Sequence, residues 1–158
     1  MRDETRLHLQ RAENELVAAQ VLFGISGNPA LQADSFKLEK EFTFYSSVIS
    51  HAYYTIFYAA KAILMEQGVR TDAPEVHKKT LEAFETNLVK TGKLDIELLR
   101  IYRKIVVRAD ALLEIFSSEK RKRGEFTYQK LPQANREPAQ ESLENALFFF
   151  KHIHTPVR

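Results

Sequence analysis

Two groups of residues in this chain have the chemistry to bind or activate a ligand. The first is Arg121-Lys122-Arg123, followed closely by Phe126 and Tyr128. A guanidinium is a permanently charged fork that suits phosphate oxygens. Aromatic rings beside it offer faces on which bases stack. The same residues equally describe a basic helix end, whose cations answer the negative terminus, with two aromatics tucked into a core. The second group is Ser50, His51 and Tyr54, with His77 further along. The first three sit close enough in sequence to share part of a helix face. A histidine among tyrosines is also an ordinary hydrogen-bonded core residue. His77 meets that face only if the helices flanking a short connection pack antiparallel.

Other chemistries find little to build on. The chain has no cysteine, which removes disulfides, thiolate metal sites and thiol nucleophiles together. His152 and His154 are two apart, so on a helix they point about 200° away from each other. His8, His51 and His77 have no carboxylate at a spacing that forms a metal motif. There is no glycine-rich phosphate loop. The expectation is no metal and no cofactor.

Net charge is only +2, yet it is polarised. Nine basic and four acidic residues fall between Arg100 and Lys130, which makes that stretch +5 and the remainder −3. Such an imbalance points toward a phosphate-bearing partner, or else marks a solvated helix face.

These groups must be positioned by helices, because no segment reads as a strand. Val48–Leu64 is apolar or aromatic around nearly its whole circumference, with His51 and Lys61 its only readily charged side chains. A helix greasy on all sides has to be surrounded. It is predicted to run from about Phe42 to Gln67 as the central rod. A first helix from Asp3 to about Phe23 carries Leu9, Ala12, Leu16, Ala19 and Phe23 on one stripe. Gly24 and Gly27-Asn28-Pro29 stop it, and residues 25–41 follow as a polar connection with room for a short helical turn near Ala30. A third helix spans about Glu75–Lys90. A fourth starts at an Asp95 cap and reaches Ser117 or beyond, with Leu98, Ile101, Ile105, Ala109, Leu112 and Phe116 inward. A fifth, Arg136–Ile153, buries Leu143, Ala146, Leu147, Phe150 and Ile153. The predicted architecture is all-α, one antiparallel up-and-down bundle of four to five helices, a single domain over residues 1–158.

The length of 158 residues fits one core that buries about two-thirds of the unfolded surface. The N-terminal residues are charged and amphipathic rather than leader-like. No apolar run reaches the roughly 18 residues that span a bilayer. A cytoplasmic protein without membrane contact is the expectation.

The helix Ser50-His51-Ala52-Tyr53-Tyr54-Thr55-Ile56-Phe57-Tyr58-Ala59-Ala60-Lys61-Ala62-Ile63-Leu64 resembles the signature helix of HEPN domains. The later blocks Val76-His77-Lys78, Phe84 and Val89-Lys90-Thr91-Gly92-Lys93-Leu94 match the small prokaryotic, toxin–antitoxin-associated branch in order and spacing. The resemblance covers roughly residues 3–153. It implies a motif of arginine, four residues, histidine, one residue and tyrosine. Here Arg121 and Tyr128 take the first and last positions, and Phe126 stands where the histidine belongs. Many members of the family are ribonucleases that cut RNA without metal, using arginine and histidine paired across a homodimer. Others lack the histidine and bind nucleotide or RNA. They often accompany a minimal nucleotidyltransferase that modifies the motif tyrosine, here Tyr128.

Cleavage of RNA by its own 2′-hydroxyl needs a base for that proton and a cation for the crowded phosphate. Arg121 can supply the cation. Phe126 has no proton to gain or lose, and a tyrosine, with a reference pKa near 10, is a poor base at neutral pH. The residue after the motif arginine is often small and polar in the family. Lys122 instead adds charge for phosphate. The leading expectation is therefore a catalytically impaired RNA- or nucleotide-binding homodimer within a two-component system. Its groove would be lined by Arg121, Lys122, Arg123 and Tyr128, with Ser50, His51, Tyr54 and His77 as further lining. An active metal-independent endoribonuclease relying on Arg121, and a purely structural interaction module, are the rivals.

Overall fold

The computed structural model describes residues 2–39, 41–123 and 136–157, with residues 114–123 and 155–157 described by backbone alone. Six helices run through it: α1 (Asp3–Ser26), α2 (Pro29–Phe36), α3 (Tyr45–Glu66), α4 (Val76–Phe84), α5 (Ile96–Arg123) and α6 (Arg136–Val157). No strand occurs among the described residues, so the all-α expectation holds. The count exceeds four to five because the short turn near Ala30 is a complete two-turn helix. Asn28 Oδ1 accepts from the Leu31 amide at 3.0 Å, and Pro29 sits in the first turn. Gly24 lies inside α1, and Gly27 ends that helix.

The expected central rod is α3, which packs most extensively against α1 and α6 and also against α5 and α4. Alanines seven residues apart explain the close approach. Ala12 and Ala19 on α1, Ala52 and Ala59 on α3, and Ala139 and Ala146 on α6 are all fully buried. A seven-residue step returns to nearly the same helix face. Side chains this small let the axes come to the short end of the usual 8–10 Å separation. Larger residues of α3, including Val48, Ile49, Ile56 and Leu64, fill the spaces between.

On α6, Phe149 is buried and Leu147 is 38 % exposed, the reverse of the expected assignment for Leu147. Ala139, Leu143, Ala146, Phe149 and Ile153 form the inward stripe by steps of three and four, which leaves Leu147 on its edge.

Phe84, Tyr102 and Phe149 meet in the core, one from each of α4, α5 and α6. Their ring centroids are 5.5–5.9 Å apart, and all three are fully buried. The Tyr102 hydroxyl has no hydrogen-bond partner among the described residues. Burial pushes its pKa up, so it stays a neutral phenol. The third helix of the sequence reading is α4 plus one π-helical turn, Glu85–Val89, closed by Lys90 N donating to Glu85 O at 2.8 Å. Asp95 caps α5 as expected, its Oδ1 accepting from Glu97 N at 2.8 Å.

The basic face of α5 turns out to be internally answered. Arg103 bonds Glu85 at 2.5 Å, Arg100 reaches Glu97 at 3.4 Å, and Lys104 and Arg108 share Glu141. Arg108 also donates to Ser142 Oγ at 3.1 Å and to the Pro138 carbonyl at 3.2 Å. Glu85, Glu97 and Glu141 all lie outside the +5 stretch. Four of its nine cations are thus paired with three carboxylates from outside the stretch, and such largely exposed pairs add little stability. The charge left to explain is concentrated at Lys120–Arg123 and Lys130, whose side chains lie outside the described residues.

Candidate functional site

The first half of α3, the first turn of α4 and the stretch 109–113 of α5 enclose a groove of about 480 Å³. Its α3 wall is Ser46, Ser47, Ser50, Tyr53 and Tyr54, a stripe that advances by three and four residues. Its α5 wall is Ala109, Asp110, Leu112 and Leu113, and His77 lines the groove from α4. That volume falls within the range of pockets that hold small molecules.

The connection between α3 and α4 places His77. Gly68 takes φ +80° after α3, a left-handed turn that glycine accepts without strain. The buried Thr71 and Thr80 hydroxyls lie 2.7 Å apart. Thr80 Oγ1 donates its one proton to the Val76 carbonyl at 2.7 Å, so Thr71 is the donor to Thr80. This ties the connection to α4 and fixes the helix start against α3.

The His77 ring then sits among aromatics. Its centroid is 4.2 Å from Phe57 and 5.7 Å from Tyr53, both stacked, and 6.1 Å from Tyr54, edge-on. Tyr53 Oη lies 2.6 Å from His77 Nδ1. Partial burial and then Lys61 lower the His77 pKa below its ordinary 6.5, while Asp110 works in the opposite direction. Burial, with Tyr54 and Asp110 adding to it, raises the Tyr53 phenol. Both groups are therefore neutral at pH 7. A neutral phenol is the better donor and a bare imidazole nitrogen the better acceptor. Tyr53 thus donates to Nδ1, and the ring proton resides on Nε2.

A titration checks this. The His77 pKa, followed by NMR of the ring carbons, is expected below 6.5. Lys61→Met should raise it, and Asp110→Asn should lower it further. A wild-type value at or above 6.5 contradicts the geometry. Because the folded protein holds this proton less tightly than the unfolded chain, the His77 contribution to stability is present above pH 6.5. It diminishes as pH falls from there toward the lowered folded value.

Ser50, Tyr54 and His77 therefore come together at one groove. His51 does not join them. One residue is about 100° of helix rotation, which turns His51 toward α1, where Nδ1 lies 2.5 Å from Glu15 Oε2. Arg11 completes that pair 3.3 Å from Glu15 Oε1, and its guanidinium lies 5.3 Å from the centre of the Tyr58 ring. Arg121, Lys122 and Arg123 occupy the last turn of α5 by their backbone, with side chains outside the described residues. Phe126 and Tyr128 lie outside the described residues altogether.

Tyr53, Ser46, Ser47 and Asp110 also line the groove, beyond the residues expected from sequence. Extending the Ser50–Tyr54 stripe by one turn backward finds the serines. Asp110 carried a signal too, as an acid flanked by the inward positions Ala109 and Leu112. No three His, Cys, Asp or Glu side chains gather in a metal-holding group among the described residues.

A family model for the HEPN domain matches residues 30–154. The chain belongs to the HEPN domain family. The match takes in α2 through most of α6, and so every described element of the groove. Among curated relatives, a Methanocaldococcus jannaschii protein named "Putative toxin MJ0142" is 33% identical over 82 residues, which is 48% of this chain and 53% of that protein. A Thermotoga maritima protein named as a UPF0332 protein is 34% identical over 59 residues, 37% of this chain and 42% of that protein. The chain thus spans about half the length of the curated relatives it matches. No described helix of this HEPN chain is long and apolar enough to cross a membrane.

Proposed function

We propose that this HEPN chain is the RNA- or nucleotide-binding subunit of a toxin–antitoxin or defence-like two-component system. It acts as a homodimer beside a minimal nucleotidyltransferase, with Tyr128 as the residue that partner modifies, and it works in the cytoplasm. The name of the Methanocaldococcus relative supports the toxin setting.

One observation carries the binding reading. A groove walled by Tyr53, Tyr54, His77 and serine hydroxyls opens beside α5, and the same helix runs on to the Arg121–Arg123 triplet. Rings and hydroxyls suit a base and its sugar, and the triplet suits phosphates. Asp110 keeps phosphate out of the groove itself, because like charges repel at short range. Arg121 follows Asp110 by eleven residues along α5. That is about 16 Å of helix at nearly the same azimuth.

That separation favours binding over cleavage. A base and a cation that act on one phosphate must both come within about 3 Å of the reacting atoms. Among the described residues that line the groove His77, in its neutral form, is the one imidazole, and Asp110 is near enough to act on it. With Phe126 in the motif, no second imidazole stands near Arg121 in sequence.

The test is RNA binding over a range of salt. Arg121→Ala and Arg123→Ala should each weaken binding and flatten the dependence of log K on log salt by about 0.7 for every phosphate left without its cation. Unchanged affinity and slope in both variants refute the reading. RNA cleavage in EDTA that vanishes in Arg121→Ala supports the ribonuclease instead.

A further inference from the structure

We propose that the groove between α3 and α5 is a pocket for an unpaired guanine base, with the Asp110 carboxylate on the base's N1–H and N2 amino edge and Tyr54 under its ring. This deepens the RNA-binding reading above and rests on it.

The argument begins with Asp110. It lines the groove from the α5 wall, and its charge acts on His77 and Tyr53 across the groove through space rather than through a hydrogen bond. Its neighbour Arg108 is committed elsewhere, to Glu141, Ser142 and the Pro138 carbonyl. A carboxylate accepts and does not donate. It therefore selects a ligand edge that presents donors side by side. Guanine is the base that does so, through N1–H and the N2 amine. Adenine and cytosine each set one amine beside an accepting ring nitrogen, which repels the second carboxylate oxygen. Uracil sets its single N–H between two carbonyls.

The opposite wall supplies the complement. Ser47 and Ser50 are one turn apart on α3, and both side chains are exposed to the groove. Their hydroxyls can donate to guanine O6 and N7. Tyr54 is 38 % exposed at the groove, and its ring is held in place by Tyr58 stacked at 6.2 Å and by Tyr53 and His77 edge-on at 5.3 and 6.1 Å. Leu113, 67 % exposed at the rim, gives an apolar surface for the other face of a base. Aromatic and apolar faces are indifferent to which base they cover. The carboxylate is what discriminates.

Fluorescence anisotropy with single-stranded RNA hexamers of uridine, carrying one central G, A, C, inosine or xanthosine, tests the pocket on the full chain. The G hexamer is expected to bind about tenfold tighter than the A, C and all-uridine hexamers. Inosine, which lacks the N2 amine, should lose most of that preference without any change to the protein. Asp110→Asn should abolish the preference for G and gain one for xanthosine, whose C2 carbonyl accepts from the new amide. Guanosine monophosphate serves as the free-nucleotide arm.

Equal binding of all the hexamers, still weakened by Arg121→Ala, overturns the guanine pocket and leaves RNA binding standing. Guanosine monophosphate binding that Asp110→Asn removes, with no hexamer bound, upholds the pocket and ends the RNA reading. Binding of neither overturns both. Inosine matching guanosine in the wild-type protein also overturns the pocket, whatever the variant does.

Discussion

Replacing Phe84 by alanine is expected to cost about 3–5 kcal/mol of folding stability. Total stability for such a domain is about 5–15 kcal/mol, so the variant should be poorly folded at physiological temperature. The side chain is fully buried and packs edge-on against Tyr102 and at a tilt against Phe149. Deleting it removes a large apolar surface from three helices at once. The cavity cannot collapse easily, because Tyr102 and Phe149 are themselves in contact at 5.9 Å. It also leaves the unpartnered Tyr102 hydroxyl beside a void without giving it an acceptor. Urea unfolding followed by circular dichroism measures this, and the melting temperature should fall by roughly 6–20 °C. Phe84→Leu should be much milder. A cost below about 1 kcal/mol for Phe84→Ala would mean that the trio does not clamp α4, α5 and α6.

The fold was open to a reading of the chain for a specific reason. The α3 sequence from Val48 to Leu64 has almost no charge, and a helix of that kind admits one location only. The amphipathic stripes of α1 and α5 then face it by period alone. Where the reading failed, two competing details decided. Leu147 and Phe149 are both plausible inward residues on α6, and a shift of two positions is settled by packing against Phe84 and Tyr102. Neither lies near Phe149 in the chain. Gly24 suggested a stop, but nothing crowds it inside α1, and the helix continues to Ser26.

The site was legible in halves. The α3 half lies within one helix, so Ser50 and Tyr54 were visible from spacing. His51 is next to Ser50 in the chain but not on its face, because about 100° of rotation per residue sends it to Glu15 on α1. Asp110 joins the groove only through tertiary packing of α5 on α3, fifty-six residues from Tyr54 in sequence. Charge counting obscured it further, since it registered merely as one acid in a basic stretch. The same counting overstated the basic surface, because Arg103, Lys104 and Arg108 find carboxylates on α6 and at the end of α4.

Tyr54→Ala is expected to weaken single-stranded RNA binding by about 1–3 kcal/mol, the usual worth of one base stacked on an aromatic ring. That is a factor of roughly 5 to 150 in affinity. The salt slope should not move, because every phosphate keeps its cation. Tyr54→Phe should bind like wild type, since the stacking face survives and no hydrogen bond from the Tyr54 hydroxyl is invoked. This pattern separates the two halves of the proposal. Arginine variants change the slope, and the tyrosine variant changes affinity at constant slope. The substitution should also spare the fold, because Tyr54 lies at the surface while Ala52, Thr55 and Ile56 beside it carry the core. Isothermal titration at two salt concentrations measures both quantities on one sample. If Tyr54→Ala binds as tightly as wild type, no base stacks in the groove. The affinity then belongs entirely to the cations at the end of α5.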